Sequence, residues 1–281
     1  MKLYFSIDLE SWAYPDDRRF IGLDSIARKK IDNGFVAEST NRILDLLAKY
    51  GQKITFFVIA ELFEWYPQMF VKIRSAGHEV AYHTHRHTRI TSPAVMRREI
   101  LASRDFLKEF KPVGFRAPGI YLPSETIGPL VEAGFRYSSS VYGSYSDVFK
   151  NEEGLAEFPI STISNKPRVL NYPRPMDLGI FLKEAPFGWA YFLAIRRLAA
   201  IEKFIGRYLK AGKPVFMFAH NWQIISPAHA AFPDIGYKIT HPMYLPYTIN
   251  IREKFEGLLK KYRLGRMDEL IWDQKNIGIK K

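Results

Sequence analysis

Residues 81–87 read AYHTHRH and place His83, His85 and His87 at every second position, in a chain with only seven histidines. Two geometries give these residues different chemistry. In an extended strand the three imidazoles share one face, and His83 and His87 then stand roughly 13 Å apart at about 3.3 Å per residue, too far to hold one small ion. In a tight helical turn His83 and His87 are i and i+4 neighbours about 5–6 Å apart, and His85 points elsewhere. Only the turn makes a pair that can share a metal.

Other ionisable residues recur in one setting, the end of an apolar stretch. KLYFSIDLE ends in Asp8 and Glu10, VGFRAPG carries Arg116, and PVFMFAH ends in His220. Each has an ordinary structural use: a carboxylate caps a turn, a histidine hydrogen-bonds in a core, an arginine closes an ion pair. Their shared position is more telling, because parallel α/β folds gather reactive groups at the C-terminal ends of their strands. Two imidazoles and one carboxylate make a three-ligand site that leaves room for water and substrate, the pattern of a catalytic metal. Such a metal lowers the pKa of water and polarises a carbonyl. A second carboxylate, free of the metal, can take the water's proton, and an imidazole opposite can protonate a leaving amine. The parts suit hydrolysis of an amide or an ester.

The elements that must position these residues are legible in the punctuation. Four helical stretches end in glycine just before an apolar strand: LLAKYGQKITFFVI, KIRSAGHEVAYH, LVEAGFRYSSSV and RYLKAGKPVFMFAH. Gly51, Gly77, Gly134 and Gly212 fit the left-handed position past a helix end. Ser39 or Thr40 is expected to cap a helix over 41–50. Ser92-Pro93 opens one running to about Phe110, Ser124 one ending at Gly134, and a further helix spans roughly 191–210. Strands alternating with helices imply parallel strands joined by right-handed crossovers. With at least six such strands the sheet is either open or a barrel. No GxGxxG or P-loop favours the nucleotide-binding open form. The expectation is one barrel-like domain over 1–281, with long Pro- and aromatic-rich loops at 162–190 and 222–248.

Composition narrows the chemistry. The chain has 281 residues, 47% of them hydrophobic, and no cysteine. Any metal must therefore be held by His, Asp or Glu. The net charge is +12, but the bases are dispersed along helices and no zinc finger, RNP motif or arginine-rich arm appears, which speaks against nucleic acid. Residues 2–9 already read as a strand, so no signal peptide is expected. The longest apolar run, 185–195, is too short for a bilayer span of roughly 20 residues. A cytoplasmic protein is the expectation. The stretch GIFLKEAPFGWAYFLAIRRLAA, apolar and then basic, is a candidate for peripheral membrane contact. The oligomeric state is not written in the sequence.

With these residues in view, the chain resembles the polysaccharide deacetylases, carbohydrate esterase family four, of the NodB-homology fold. FSIDLESW looks like the first motif in its D-x-E variant, and GHEVAYHTHRH is similar to the H-[ST]-x-x-H metal motif with its preceding GHE. FRAPG resembles the third motif, YSSSV occupies the place of the fourth, and FMFAHNW resembles the fifth; LAEFPIS and RMDEL fall in the expected order. The resemblance implies a distorted (β/α)7-type barrel and a metal-dependent N-deacetylase acting on a sugar or glycan. It implies Asp8 as general base, Glu10, His83 and His87 as metal ligands, Arg116 as the residue that orients the base, and His220 as general acid. The Gly119 amide is expected to help hold the oxyanion, with Tyr121 and Trp222, and also Trp12 and Tyr14, available to line a sugar groove. The metal implied is divalent, zinc first, with cobalt, nickel, manganese or iron also suited to such ligands. Three positions depart from the common pattern: Leu9 replaces a second aspartate, Ser138 stands where many relatives have the acid that positions the arginine, and Gly119 replaces an aromatic. Two alternatives keep the fold: a cyclic amide or ureide hydrolase like the allantoinases, and a non-catalytic glycan binder.

Overall fold

The computed structural model describes residues 3–12, 20, 22–144, 149–150, 153–163, 168–169, 185–227 and 242–272. Seven parallel strands follow one another: β1 (Leu3–Leu9), β2 (Thr55–Val58), β3 (Glu79–Tyr82), β4 (Gly114–Phe115), β5 (Tyr137–Ser138), β6 (Ala156–Glu157) and β7 (Val215–His220). Their spatial order is β7-β1-β2-β3-β4-β5-β6, and every neighbouring pair is parallel. Helices lie in the connections from β1 to β5 and from β6 to β7, while short strands lie between β5 and β6, and the sheet curls into the expected distorted (β/α)7-type barrel. The gap between β6 and β7 is spanned by a short strand, Ile160–Thr162, and by Gly188. The Gly188 amide donates to the Ser161 carbonyl (2.8 Å) and its own carbonyl accepts from the Phe218 amide (2.8 Å). A Cβ at Gly188 would run into the Phe216 carbonyl oxygen and the Ser161 nitrogen, so the backbones close here only around a residue without a side chain.

Strand alternation builds two cores. One face of the sheet sends Leu3, Phe5, Ile7, Phe56, Val58 and their neighbours against the helices. The other sends Tyr4, Phe57, Ala81, Tyr137, Phe158 and Phe216 into the barrel, where Phe158 and Phe216 stack with centroids 5.4 Å apart. Met267, Leu270 and Ile271 close this interior from the N-terminal side of the strands. Their segment is tied down by Glu79, whose carboxylate accepts from the Thr55 hydroxyl (2.6 Å), the Tyr137 hydroxyl (2.7 Å) and the Asp268 amide (3.0 Å). Burial, with Asp268 nearby, pushes the Glu79 carboxyl up to about 7.

The glycines past helix ends adopt the left-handed conformation, with φ of 60°, 80°, 91° and 73° at Gly51, Gly77, Gly134 and Gly212. Several helix boundaries differ from the sequence expectation. The first long connecting helix is Phe35–Lys49 and starts at Gly34, not at Ser39 or Thr40. The hydroxyls of those two residues donate back to the Val36 carbonyl instead. The helix opened by Ser92-Pro93 breaks at Ser103 into Pro93–Ala102 and Arg104–Phe110. The one before β7 breaks at Arg196 into Ala190–Ile195 and Leu198–Lys210. The Ser124 turn is 3-10, and α-helix proper covers Ile127–Glu132. Within the expected long loops, Asn221–Ile224 is helical and Pro242–Thr248 is 3-10, while 170–184 and 228–241 lie outside the described residues.

The apolar run at 185–195 is mostly interior, with Phe187, Trp189, Phe192 and Leu193 all buried. That leaves little of it for a membrane surface, and residues 179–184 of the candidate stretch are outside the described part. Among the described residues, no helix is long and apolar enough to cross a membrane.

Candidate active site

Register brings the first pair together. Asp8 is the Cα partner of His220 across the β1–β7 ladder. Ser6, Asp8 and Glu10 alternate onto the same side of the chain, toward the barrel axis. Beyond the strand, the Glu10 amide donates to Asn221 Oδ1 (3.4 Å), and Asn221 Nδ2 donates to the Ser39 hydroxyl (3.0 Å). The next residue, Ser11, donates to the Asp32 carboxylate (2.8 Å). The exit of β1 is thus fixed on both sides of the Glu10 side chain.

β3 ends at Tyr82, and the histidines follow in a tight turn. The turn is not helical: Thr84 and His87 both have positive φ, 68° and 58°. It nevertheless produces the separation that i and i+4 spacing would give, with the His83 and His87 rings 5.1 Å apart. His85 turns away, and its Nε2 lies 3.8 Å from the Glu64 carboxylate.

Glu10 Oε1 lies 3.1 Å from His83 Nε2, 3.4 Å from His87 Nε2 and 3.8 Å from His220 Nε2. Ligand atoms of Glu10, His83 and His87 fall within 4.8 Å of one another, and so do those of Asp8, Glu10 and His220. The hydrogen bonds of His83 discriminate what the first group can hold. Its Nδ1 is 2.7 Å from the Arg116 carbonyl oxygen, which can only accept, so Nδ1 carries the proton. Nε2 therefore faces the Glu10 carboxylate, and in the neutral ring its lone pair is available to a cation placed between them. The donor set therefore fits a divalent ion of the zinc type. Burial pushes the Glu10 carboxyl up, but the surrounding imidazoles, His87 first, outweigh it and bring it down to about 2.

Asp8 is held differently. Arg116, fully buried, donates through Nη1 to Asp8 Oδ1 (2.5 Å) and to the Ser6 hydroxyl (2.8 Å). Its Nε and Nη2 donate to the Ser139 carbonyl (3.1 Å) and hydroxyl (2.9 Å). The guanidinium lies over the Phe57 ring, 4.0 Å from the centroid. The arginine is thus anchored by Ser139, next to the position where the sequence lacks an acid. His220 Nδ1 lies 3.0 Å from Gln223 Oε1, which also accepts the His220 amide (3.1 Å), so Nε2 faces the site. Trp222 stacks flat on the His220 ring at 4.4 Å and 12°, and Tyr247 meets it at 5.4 Å. Gly119 is exposed in a turn with φ 70°, and Tyr121 follows it half-buried. Trp12, by contrast, is buried against Phe20 (5.7 Å) and belongs to the core; Tyr14 lies outside the described residues.

Glu157 sits opposite Ser138 in the β5–β6 register, and its carboxyl accepts from the Ser140 amide (2.6 Å). Burial pushes it up to about 7, against hydrogen bonds from Ser138 and Ser140 that pull it down. The folded value stands above the ordinary 4.5, so the folded chain binds the extra proton. The stability this group contributes is complete below the ordinary value and is lost as pH rises through about 7. Glu157→Gln, a neutral isostere, is expected to flatten the fall in denaturant midpoint between about pH 5 and about pH 8. The slope from Glu79 is common to both proteins. Identical slopes would mean that the Glu157 carboxyl is already ionised in the fold.

The polysaccharide deacetylase family model matches residues 30–138, a stretch that contains His83, His87 and Arg116 but neither Asp8, Glu10 nor His220. The peptidoglycan-N-acetylglucosamine deacetylase of Bacillus cereus is 27% identical over 130 residues, 45% of this chain and 58% of that protein. The peptidoglycan deacetylase-like protein FGM2 of Gibberella zeae is 26% identical over 157 residues, 53% of this chain and 46% of that one. The matches thus span about half the length of these relatives. Among solved structures, a Mycobacterium smegmatis protein described as a polysaccharide deacetylase superposes with a TM-score of 0.64 at 17% identity, covering 99% of this chain and 91% of the other. PuuE allantoinase gives 0.56 at 15% identity with 99% and 91% covered. Both share the fold. The family match over residues 30–138, the curated relatives and the shared fold together support a place in the polysaccharide deacetylase family.

Several site residues are not singled out from the sequence. Asn221 and Gln223 lie one and three positions after His220, Ser139 lies inside YSSSV, and Glu99 sits on a helix. FMFAHNW already contains Asn221, and a short helix after β7, pointing its first turn back at the site, is a signal for Gln223.

Proposed function

We propose that the protein is a metal-dependent carbohydrate N-deacetylase that hydrolyses the acetamide of an N-acetylated sugar or glycan. One observation carries the reading: ligand atoms of Glu10, His83 and His87 converge within 4.8 Å, with His83 Nδ1 engaged by the Arg116 carbonyl so that Nε2 is turned toward the carboxylate. A divalent ion held there would polarise the amide carbonyl and make water a stronger nucleophile. The chain's own residues supply the rest. Asp8, fixed by Arg116, takes the proton from the attacking water. His220, with Nδ1 engaged by Gln223, gives a proton from Nε2 to the departing amine. The Gly119 amide stabilises the developing oxyanion. Trp222 and Tyr121 offer flat faces to a sugar ring.

Acetate release from N-acetylglucosamine oligomers, with and without chelator, tests this reading. Chelation is expected to abolish turnover and added zinc to restore it. His83→Ala is expected to weaken zinc binding by at least about 100-fold, because it deletes a ligand rather than its support. Turnover that survives chelation, or a His83→Ala protein that retains zinc, would refute the metal assignment.

A further inference from the structure

The two left-handed residues in the histidine turn raise the question of what holds it. Thr84 is β-branched, and such residues rarely adopt positive φ. The turn's carbonyls are fixed from one side: the Ala60 amide donates to the Thr84 carbonyl and the Glu61 amide to the His85 carbonyl, both at 3.0 Å. Its amides are fixed from the other. Glu99 Oε2 accepts from the His85 amide (2.9 Å) and from the Arg86 amide (3.3 Å). These are two consecutive N–H groups between the two candidate ligands, pointed at one carboxylate oxygen.

Glu99 is placed for this task. It is only 6% exposed, on the helix Pro93–Ala102, whose start is capped by Ser92. Its own carbonyl accepts from the Tyr82 hydroxyl (2.9 Å), which ties that helix to the end of β3, one residue before His83. A second carboxylate backs the turn: Glu61 binds Arg86 (2.9 Å) and is itself gripped by the buried Arg28 at 2.6 Å. Arg86 is nearly half exposed and makes a looser tie. The inward carboxylate of Glu99 engages the backbone itself and leaves the turn little freedom to rotate.

We propose that Glu99 is the positioning residue of the histidine pair: by clamping the His85 and Arg86 amides it sets the approach of His83 to His87 and thereby the affinity for the metal. This rests on the metal reading above. Glu99 reaches neither substrate nor ion, so its effect must appear in binding before it appears in turnover.

The test compares the parent, Glu99→Ala, Glu99→Gln and Glu99→Asp, using zinc titration against a chromophoric chelator, the visible spectrum of the cobalt-loaded protein, and melting of the metal-free form. Glu99→Ala is expected to bind zinc about 10–100-fold more weakly and to change the cobalt spectrum, as loss of a ligand's support does. Glu99→Gln, whose amide oxygen can still accept both N–H groups, should recover most of the affinity. Glu99→Asp, one methylene short, should fall between. Should Glu99→Ala not fold, the Gln and Asp variants decide alone: aspartate weaker than glutamine supports the clamp, and both equal to the parent overturns it. Zinc affinity in Glu99→Ala within about threefold of the parent, with an unchanged cobalt spectrum, overturns it as well. If the parent itself takes no zinc, the metal reading falls and this inference with it. If His83→Ala loses zinc and the Glu99 variants do not, only the inference fails.

Discussion

Asp8→Asn is expected to bind zinc as the parent does and to lose acetate release by about 10²–10⁴-fold, the range for removing a general base. The substitution keeps size and shape. It also keeps an oxygen for the Arg116 bond, which measures 2.5 Å in the parent. What it removes is the ability to accept a proton from water. The expectation of unchanged zinc is the sharper half. Two groups of three ligand atoms share Glu10: one with His83 and His87, the other with Asp8 and His220. If the ion belongs to the first, Asp8→Asn and His220→Ala retain it. If it belongs to the second, both lose it and His83→Ala does not. The Arg116 guanidinium already bonded to Asp8 argues for the first, since a cation beside Asp8 would be repelled by it. Zinc stoichiometry on the three variants, followed by acetate release, separates the alternatives. A fully active Asp8→Asn protein would remove Asp8 from the role of base.

The fold and the site were legible in the sequence to different depths. Strand ends were readable because buried parallel strands are continuous apolar runs, and an ionisable residue at the end of one stands out. Asp8, Arg116 and His220 are of this kind. The glycine stops were readable because only glycine accepts the left-handed position without cost. The conformation of the histidine turn was not. His83 and His87 approach through left-handed Thr84 and His87, backbone states imposed by Ala60, Glu61 and Glu99 and not by local preference. Helix starts failed for a related reason. Ser39 has the chemistry of a cap, but its hydroxyl accepts from Asn221, a residue 182 positions away in the chain, so tertiary contact outweighed capping propensity. Ser139 shows the same limit. The sequence registers a missing acid at 138, whereas the structure gives the arginine a hydroxyl and a carbonyl from the adjacent residue. Supports of this sort come from segments separate in the chain and leave no spacing to read.

Arg116 is where the site and the stability of the fold meet, and Arg116→Met is expected to damage both. Its side chain is fully buried, and Asp8, its partner, is 2% exposed. Removing the guanidinium leaves a carboxylate in the barrel without a counter-charge, a change that costs about 3–5 kcal/mol when a buried pair is broken from one side. Methionine refills part of the volume over Phe57, so the loss reports mainly on charge and hydrogen bonding. Arg116→Lys should not rescue it: a single ammonium cannot reach Asp8, Ser6 and both oxygens of Ser139 in the geometry of the planar fork. The discriminating measurement is a double-mutant cycle with Asp8→Asn, read by denaturant unfolding of the metal-free protein. Neutralising Asp8 removes the charge that Arg116 compensates, so the double variant should be more stable than the sum of the singles by about 0.5–3 kcal/mol. Turnover should behave in parallel: once Asp8 cannot act as a base, losing Arg116 should lower kcat little further. Additive unfolding energies would show that Arg116 holds the barrel through Ser139 and Phe57 alone, and that Asp8 owes its position to β1 rather than to the arginine beside it.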